Sequence, residues 1–373
     1  MFLRVHAPVN RQLIRRVSVQ AHNSLGSVPP ISRLECQEQV CCPQTNAELT
    51  RQLEETDLQL VPTAGQHERK SWIVGSLAPL LHRHTGGQLH TFGSCENGFW
   101  MNGSDVDACL VVRHCSQRQS WVTKLRLVES LVRREEIGTA QLVRAARVPV
   151  AKVLDKEGIE LCDISVNNVA ALENSKFVGA LSQLDPRARI LGRFIKHWAS
   201  RRRINNRSEG TLSTYTLILQ LFYFLQTRNP PVLPVLVNLL SEPLQELLAG
   251  PDDSADAVTA VNALATGPEM DVASGELRSP PFLTDATAIC EGRFPEAGKN
   301  SASVGELLYG FFQFWGDEVF AGGEGSGQTV LVYDGTRSKN DLGVLVMRCP
   351  LTGKNVNPFT ASVWQGIHAE FAR

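Results

Sequence analysis

Phe92-Gly93-Ser94-Cys95-Glu96-Asn97-Gly98-Phe99-Trp100-Met101-Asn102-Gly103-Ser104-Asp105-Val106-Asp107 leads into the apolar run Ala108-Cys109-Leu110-Val111-Val112. Residues two apart on a β-strand point to one face, so Asp105 and Asp107 are expected to present two carboxylates side by side. Like charges so placed repel unless a cation sits between them. Hard oxygen donors suit Mg²⁺ or Mn²⁺, which take their remaining ligands from phosphates and water. Gly93-Ser94 stands where a short strand, Leu89 to Phe92, gives way to a turn or helix start, and free backbone N–H groups there can hold a phosphate. A phosphate clamp ahead of a paired-carboxylate strand points to nucleotidyl transfer. The bland alternative is a turn followed by a strand with two surface acids.

A third acid separates the two. Gln141 to Leu154 alternates loosely around Pro149 and reads as a strand with an irregularity. Asp155-Lys156-Glu157-Gly158 is a hairpin turn, and Ile159 to Val166 returns as a strand carrying Asp163. An acid in an apolar strand is seldom left unpaired, so Asp163 is expected either in a salt bridge to an arginine or as a carboxylate beside Asp105 and Asp107. Gly-Ser, ten residues and then Asp-x-Asp resemble the signature of the polymerase-β nucleotidyltransferase superfamily. That family's third acid lies on such a strand, after a stretch like Arg147-Val148-Pro149.

The chain has 373 residues, enough for two domains. It is 43% hydrophobic and 20% charged, ordinary for a globular protein, and its net charge of −1 gives no global basic field. A nucleic-acid surface must therefore be local, and Arg201-Arg202-Arg203 and the Arg144/Arg147 pair stand out. No apolar run approaches the ~20 residues of a membrane span, so no membrane insertion is expected. The nine cysteines form no pair of Cys-x-x-Cys units, and Cys109 and Cys162 read as buried hydrophobes. Residues 1–34 carry five arginines and no acid among apolar residues and serines. That is the composition of a mitochondrial presequence, with a disordered basic arm as the alternative, and it implies the mitochondrial matrix.

Outward from the motif, Cys41 to Leu60 reads as one helix. His67 to His84 reads as another, with Trp72, Ile73, Leu77, Leu80 and Leu81 at three- and four-residue steps and Gly86-Gly87 closing it. Ser116 to Glu136 is helical. From Val169 the chain turns helical: Asn174-Ser175-Lys176 is expected to open one helix, Pro186 to Arg203 forms a second, and Gly210-Thr211-Leu212-Ser213-Thr214-Tyr215 starts a third. Residues 250–281 are poor in large apolar residues and read as a flexible insertion. Ser303 to Phe320 is helical, Gln328 to Val346 a hairpin, and Pro350 to Arg373 a loop with a final helix. The expected fold is α+β. A nucleotidyltransferase domain with a mixed sheet covers 45–168, its first helix able to pack on a second, mostly helical domain over 169–373.

Three further segments resemble the noncanonical poly(A) polymerases and terminal uridylyltransferases, and length and the mitochondrial-type start resemble the small kinetoplastid mitochondrial members. The three segments are Arg193-Phe194-Ile195-Lys196-His197-Trp198-Ala199, the Gly210 to Tyr215 helix start, and Ser303-Val304-Gly305-Glu306-Leu307-Leu308-Tyr309-Gly310-Phe311-Phe312 of a poly(A)-polymerase-associated module. The resemblance implies that Asp105, Asp107 and Asp163 hold two Mg²⁺ ions (Mn²⁺ as an alternative) and that Asp163 draws the proton from an RNA 3′ hydroxyl. It implies that Ser94 and the Gly93 backbone grip the triphosphate and that Lys196 neutralises it as a point charge. Asn174 is implied at the ribose 2′ hydroxyl, and Thr214 and Tyr215 at the base. The bottom-up alternatives for Asn174 and Tyr215 are a helix cap and a core tyrosine. An RNA 3′ end, and a mitochondrial RNA-processing complex, are the implied partners.

Two departures bear on specificity. The family's second lysine, one turn after Lys196, is Ser200 here, with Arg201 or Arg202 as substitutes. The uridylyltransferase pattern supplies acids and a histidine near the end of the chain. Here Arg348-Cys349-Pro350-Leu351-Thr352-Gly353-Lys354-Asn355-Val356-Asn357 has neither, with Lys354 or Asn355 in the histidine's place. Uracil N3–H needs an acceptor and adenine N1 is itself one, so the expected nucleotide is ATP rather than UTP. A catalytically silent RNA-binding scaffold is the alternative of another class, and all three acids with Lys196 stand against it.

Overall fold

A computed structural model describes residues 43–242, 245, 280, 282–319 and 327–373. The presequence expected over 1–34 and, but for Pro280, the insertion expected over 250–281 lie outside the described residues. The chain forms two compact units. One takes Val61–Leu184 and Leu239–Arg293, and the other the segments ending at Leu60, Asp185–Asn238 and Phe294–Arg373.

In chain order the elements are α1 (Pro43–Leu60), α2 (Ala64–Trp72), a π-helical turn (Ile73–Leu77), α3 (Ala78–Thr85), β1 (Gln88–Phe92), β2 (Asp107–Val111) and α4 (Arg118–Arg134). Then come β3 (Gly138–Val143), β4 (Val150–Asp155), β5 (Glu160–Val166), α5 (Val169–Leu184), α6 (Pro186–Arg201), α7 (Thr214–Gln226) and α8 (Ala286–Gly292). The last are α9 (Val304–Gln313), β6 (Gly327–Leu331), β7 (Thr336–Asn340), β8 (Leu345–Arg348) and α10 (Ala361–Phe371).

The first unit is built on a five-stranded sheet in the order β1-β2-β5-β4-β3. Only β2 and β5 run parallel. Alternation along β2 serves both faces. Ala108, Leu110 and Val112 join a core with Ile73, Leu77 and Leu81 and with Leu125, Val128 and Val132 of α4. Cys109 and Val111 turn the other way, to Leu172 of α5. Cys109 and Cys162 are buried free thiols, as the sequence suggested.

The single helix expected over His67–His84 is interrupted by the π-turn over Ile73–Leu77. Ile73, Leu77 and Leu81 are all fully buried, but on a regular helix each four-residue step drifts by about 40°. The wider turn takes up that drift and keeps the three in one stripe.

Two other expectations are corrected. Val169–Leu184 belongs with the sheet rather than with the helical unit, because Leu172 and its neighbours cover the sheet's second face. Asn174 therefore sits within a helix and does not open one. The hairpin expected over Gln328–Val346 is three-stranded, in the order β7-β6-β8, with β8 parallel to β6.

In the helical unit, Trp198 of α6 stacks edge-on to Phe312 of α9 at 4.7 Å and lies 5.1 Å from Phe371 of α10. α1 is locked to α6 by a two-pronged ion pair, Arg193 Nε and Nη2 donating to Asp57 at 2.6 and 2.7 Å. α1 also meets α9 closely enough that a Cβ on Gly305 would fall 2.7 Å from the Asn46 carbonyl. The Gly305 N–H donates to Thr50 Oγ1 at that approach.

Candidate active site

β1 ends at Phe92, and Gly93 turns the chain with φ +70°. Its carbonyl accepts from Glu96 N and Asn97 N, which closes a short 3-10 turn over Gly93–Cys95. Its N–H donates to Ser175 Oγ at 2.7 Å, and that hydroxyl donates in turn to Ala171 O of α5. The Gly93 N–H, expected to face a phosphate, is thus already engaged. What Gly93 supplies is room: a Cβ there would lie 2.5 Å from Asp107 Oδ2. Ser94 follows on this turn, half-buried. Asn174 precedes Ser175 on α5, also half-buried.

Asp107 opens β2 and is the register partner of Asp163 on parallel β5. The Asp163 N–H donates to Val106 O at 3.0 Å, which extends the pairing one residue ahead of β2. Asp105 is not on the strand beside Asp107 but in the exposed loop before it. Among the described residues, the acidic group whose ligand atoms lie within 4.8 Å of one another is Asp105, Glu160 and Asp163. Asp107 stands next to that group in the sheet, with its carboxylate against Gly93.

The sequence reading missed Glu160 because it lies three residues before Asp163, which on a regular strand is the opposite face. The register slips between Val153 and Leu154, which pair with Cys162 and Glu160 and skip Leu161. That bulge brings Glu160 round to the face of Asp163.

Lys152, opposite Asp163 on β4, spans both acids. Its Nζ donates to Glu160 Oε1 at 2.7 Å and to the two Asp163 oxygens at 2.9 and 3.2 Å. Burial opposes the lysine's charge, but its hydrogen bonds to Glu160 and Asp163 outweigh that and raise its pKa. Burial first, and then the hydrogen bond shared with Glu160, push Asp163 up to about 7 against the pull of Lys152. Glu160 moves the other way: burial disfavours its charge, yet its bond from Lys152 draws it below the ordinary carboxylate range. One carboxyl is thus suited to hold a proton near neutrality and its neighbour to stay ionised. Three hard oxygen donors this close fit Mg²⁺ or Mn²⁺.

In the helical unit, half-buried Lys196 and exposed Ser200 lie one turn apart on α6. Ser213 caps α7 by accepting from Thr216 N at 3.1 Å, and Thr214 Oγ1 lies within hydrogen-bond reach of the Asn205 amide. Tyr215 Oη meets Cys349 Sγ at 3.4 Å, and burial raises the phenol well above its ordinary value. Asn355, the expected base reader, turns its Oδ1 to the Asn357 N–H. The fully buried Asn357 joins the two segments: its Oδ1 accepts from Ser213 N and Thr216 Oγ1, and its Nδ2 donates to Thr211 O. The Cys349–Asn357 segment is thereby fixed at the start of α7. Asn357 was in the quoted run, but nothing in its neighbours marks it as the joint.

Comparison with known proteins bears on both units. A family model described as "Poly(A) RNA polymerase, mitochondrial-like, central palm domain" matches residues 49–183. Poly(A) RNA polymerase cid11 of Schizosaccharomyces pombe is 33% identical over 200 residues, 52% of this chain and 41% of that protein. Human terminal uridylyltransferase 4 is 30% identical over 263 residues, 69% of this chain and 14% of that one. The chain is similar to poly(A) RNA polymerases and terminal uridylyltransferases. It spans less than half the length of either of these relatives. Rat poly(A) RNA polymerase GLD2 is 28% identical over 306 residues, 78% of this chain and 56% of the relative. A crystal structure of the Cid1 poly(U) polymerase shares the terminal nucleotidyltransferase fold with a TM-score of 0.65 at 23% identity, covering 88% of this chain and 92% of that one.

Proposed function

We propose that this chain adds ribonucleotides from a nucleoside triphosphate to RNA 3′ ends without a template, prefers ATP to UTP, and works in the mitochondrial matrix. The observation that carries the reading is the register of Asp107 with Asp163 on parallel strands, with the Gly93 turn packed on the Asp107 carboxylate. Two Mg²⁺ ions bound by Asp105, Asp107 and Asp163 would neutralise the charge of the phosphates and of the attacking oxygen. Asp163 is assigned to take the proton of the RNA 3′ hydroxyl on a carboxylate oxygen. Ser94 and Lys196 are assigned to the triphosphate, Asn174 to the ribose, and Thr214 and Tyr215 to the base. The matrix location rests on the arginine-rich, acid-free stretch 1–34 and on the description of the matching family model.

The ATP preference rests on the terminal segment. Relatives of both kinds match, so the distinction falls to Arg348–Asn357, which has no carboxylate to order a water on uracil N3–H. Cys349 is buried against Tyr215, and half-buried Asn355 carries an amide whose Nδ2 can pair with an adenine edge. A mismatched polar contact costs on the order of 1–3 kcal/mol, about tenfold or more in selectivity. Steady-state kinetics on one RNA primer with each of the four NTPs test this. A higher kcat/KM for UTP than for ATP would overturn the preference, and no incorporation of any NTP would overturn the activity.

A further inference from the structure

Asp105 stands outside the sheet, so no strand register places it in the acidic group. The turn that delivers it is Met101–Ser104, closed by Ser104 N donating to Met101 O at 3.0 Å, with Gly103 at φ +80°. Gln66 of α2 grips this turn. Gln66 Nε2 donates to Met101 O and to Ser104 O, each at 3.3 Å.

The other end of the same amide is engaged in its own helix. Gln66 is the third residue of α2, and its Oε1 accepts from the Thr63 N–H at 3.2 Å while Thr63 Oγ1 accepts from Gln66 N. This capping box fixes the orientation of the amide. Its oxygen is spent on the helix start and its NH₂ faces the turn. One helical turn further on, Lys70 Nζ donates to Cys95 O at 2.9 Å and pairs with Glu96 at 2.8 Å, on the loop that follows Gly93. Arg69 between them donates to Glu160 O at 3.4 Å. α2 thus holds the backbone of all three segments that carry the site.

We infer that Gln66 is a positioning residue for Asp105: its amide tethers the Met101–Ser104 turn and so sets the distance from Asp105 to Glu160 and Asp163, and with it the affinity for the divalent cation. This rests on the proposed reading of Asp105 and Asp163 as metal ligands. Gln66→Glu gives a selective test, because glutamate at this helix position completes a capping box as well as glutamine does. It removes only the NH₂ donors and turns a carboxylate towards two carbonyls. Added negative charge alone would tighten cation binding, so a loss of affinity reports the geometry.

The experiment measures Mn²⁺ binding to the full chain by electron paramagnetic resonance without nucleotide or RNA, together with Tm. Gln66→Glu should weaken Mn²⁺ binding about fivefold or more with Tm nearly unchanged. Gln66→Met, neutral and of similar length, should weaken it too, with a small fall in Tm from the lost cap. Thr63→Ala, which removes the cap hydroxyl alone, should lower Tm and leave Mn²⁺ affinity at the wild-type value. Wild-type affinity in Gln66→Glu, or an equal loss in Thr63→Ala, overturns the tether. If wild-type chain incorporates no NTP while Gln66→Glu still weakens Mn²⁺ binding, the functional reading fails and the tether stands.

Discussion

Gly93→Ala is the substitution whose effect follows most directly from the geometry. The residue has φ +70°, where an L-residue with a Cβ costs about 1–2 kcal/mol over glycine. Its new methyl would fall 2.5 Å from Asp107 Oδ2 and 3.3 Å from Cγ. The backbone cannot rotate away, because the N–H is held by Ser175 and the carbonyl by Glu96 and Asn97. The Asp107 side chain must therefore move, at about 0.5–1.5 kcal/mol for an off-rotamer torsion. Together these costs come to about 1.5–3.5 kcal/mol. In a unit of this size that lowers the melting transition by about 3–14 °C. The catalytic loss should be larger, since a displacement of about 1 Å in a reacting carboxylate costs on the order of 100-fold. Gly65→Ala is the control: it lies in α2 with open space around its Cβ position, and should keep both activity and Tm. The assay is single-turnover primer extension beside differential scanning fluorimetry. A Gly93→Ala protein with kcat within threefold of wild type and an unchanged Tm would refute the packing of this turn on Asp107.

Cation binding should tighten with pH. With Asp163 pushed up to about 7, the ligand is mostly protonated at pH 6 and mostly ionised at pH 8, so Mn²⁺ affinity should rise about tenfold across that interval. The same raised carboxyl makes the metal-free protein less stable as pH climbs from the ordinary carboxylate range through 7. Titration calorimetry in two buffers of different ionisation enthalpy would read the released proton at pH 6, and a pH-independent affinity would count against the shift. Residues 1–34 fused to a fluorescent protein should carry it into mitochondria; a cytosolic signal would remove the matrix from the proposal.

The parts of the site legible in the sequence are those fixed by local chemistry. Gly93 needs its left-handed turn, Asp107 and Asp163 interrupt apolar strands, and Ser213 and Ser303 cap helices where hydroxyls stand before apolar runs. What stayed hidden depends on register and on distant backbone. Glu160 looks like a residue of the opposite face until the bulge at Leu161 is known, and Asp105 looks like a strand residue until the strand itself is seen to begin at Asp107. The Gln66 signal resembles an ordinary capping glutamine, since nothing in the sequence tells which carbonyls its NH₂ will meet. The π-turn left no mark in the sequence, since Ile73, Leu77 and Leu81 at four-residue steps fit one face of a regular helix as well. The third strand of the small sheet was lost because β8 joins β6 in parallel, a pairing with no turn of its own to announce it.

The contact of α1 with α9 also sets a timetable for synthesis. Thr50 waits for Gly305, 255 residues later in the chain. At about 5–20 residues per second a ribosome needs roughly 13–50 s to bridge that gap. Throughout it, α1, whose Leu49 and Leu53 are buried in the finished unit, has no α9 to pack on. The sheet strands from β1 to β5 are all made within that interval. The contact between α1 and α9 therefore forms only after the whole sheet of the other unit has been synthesised.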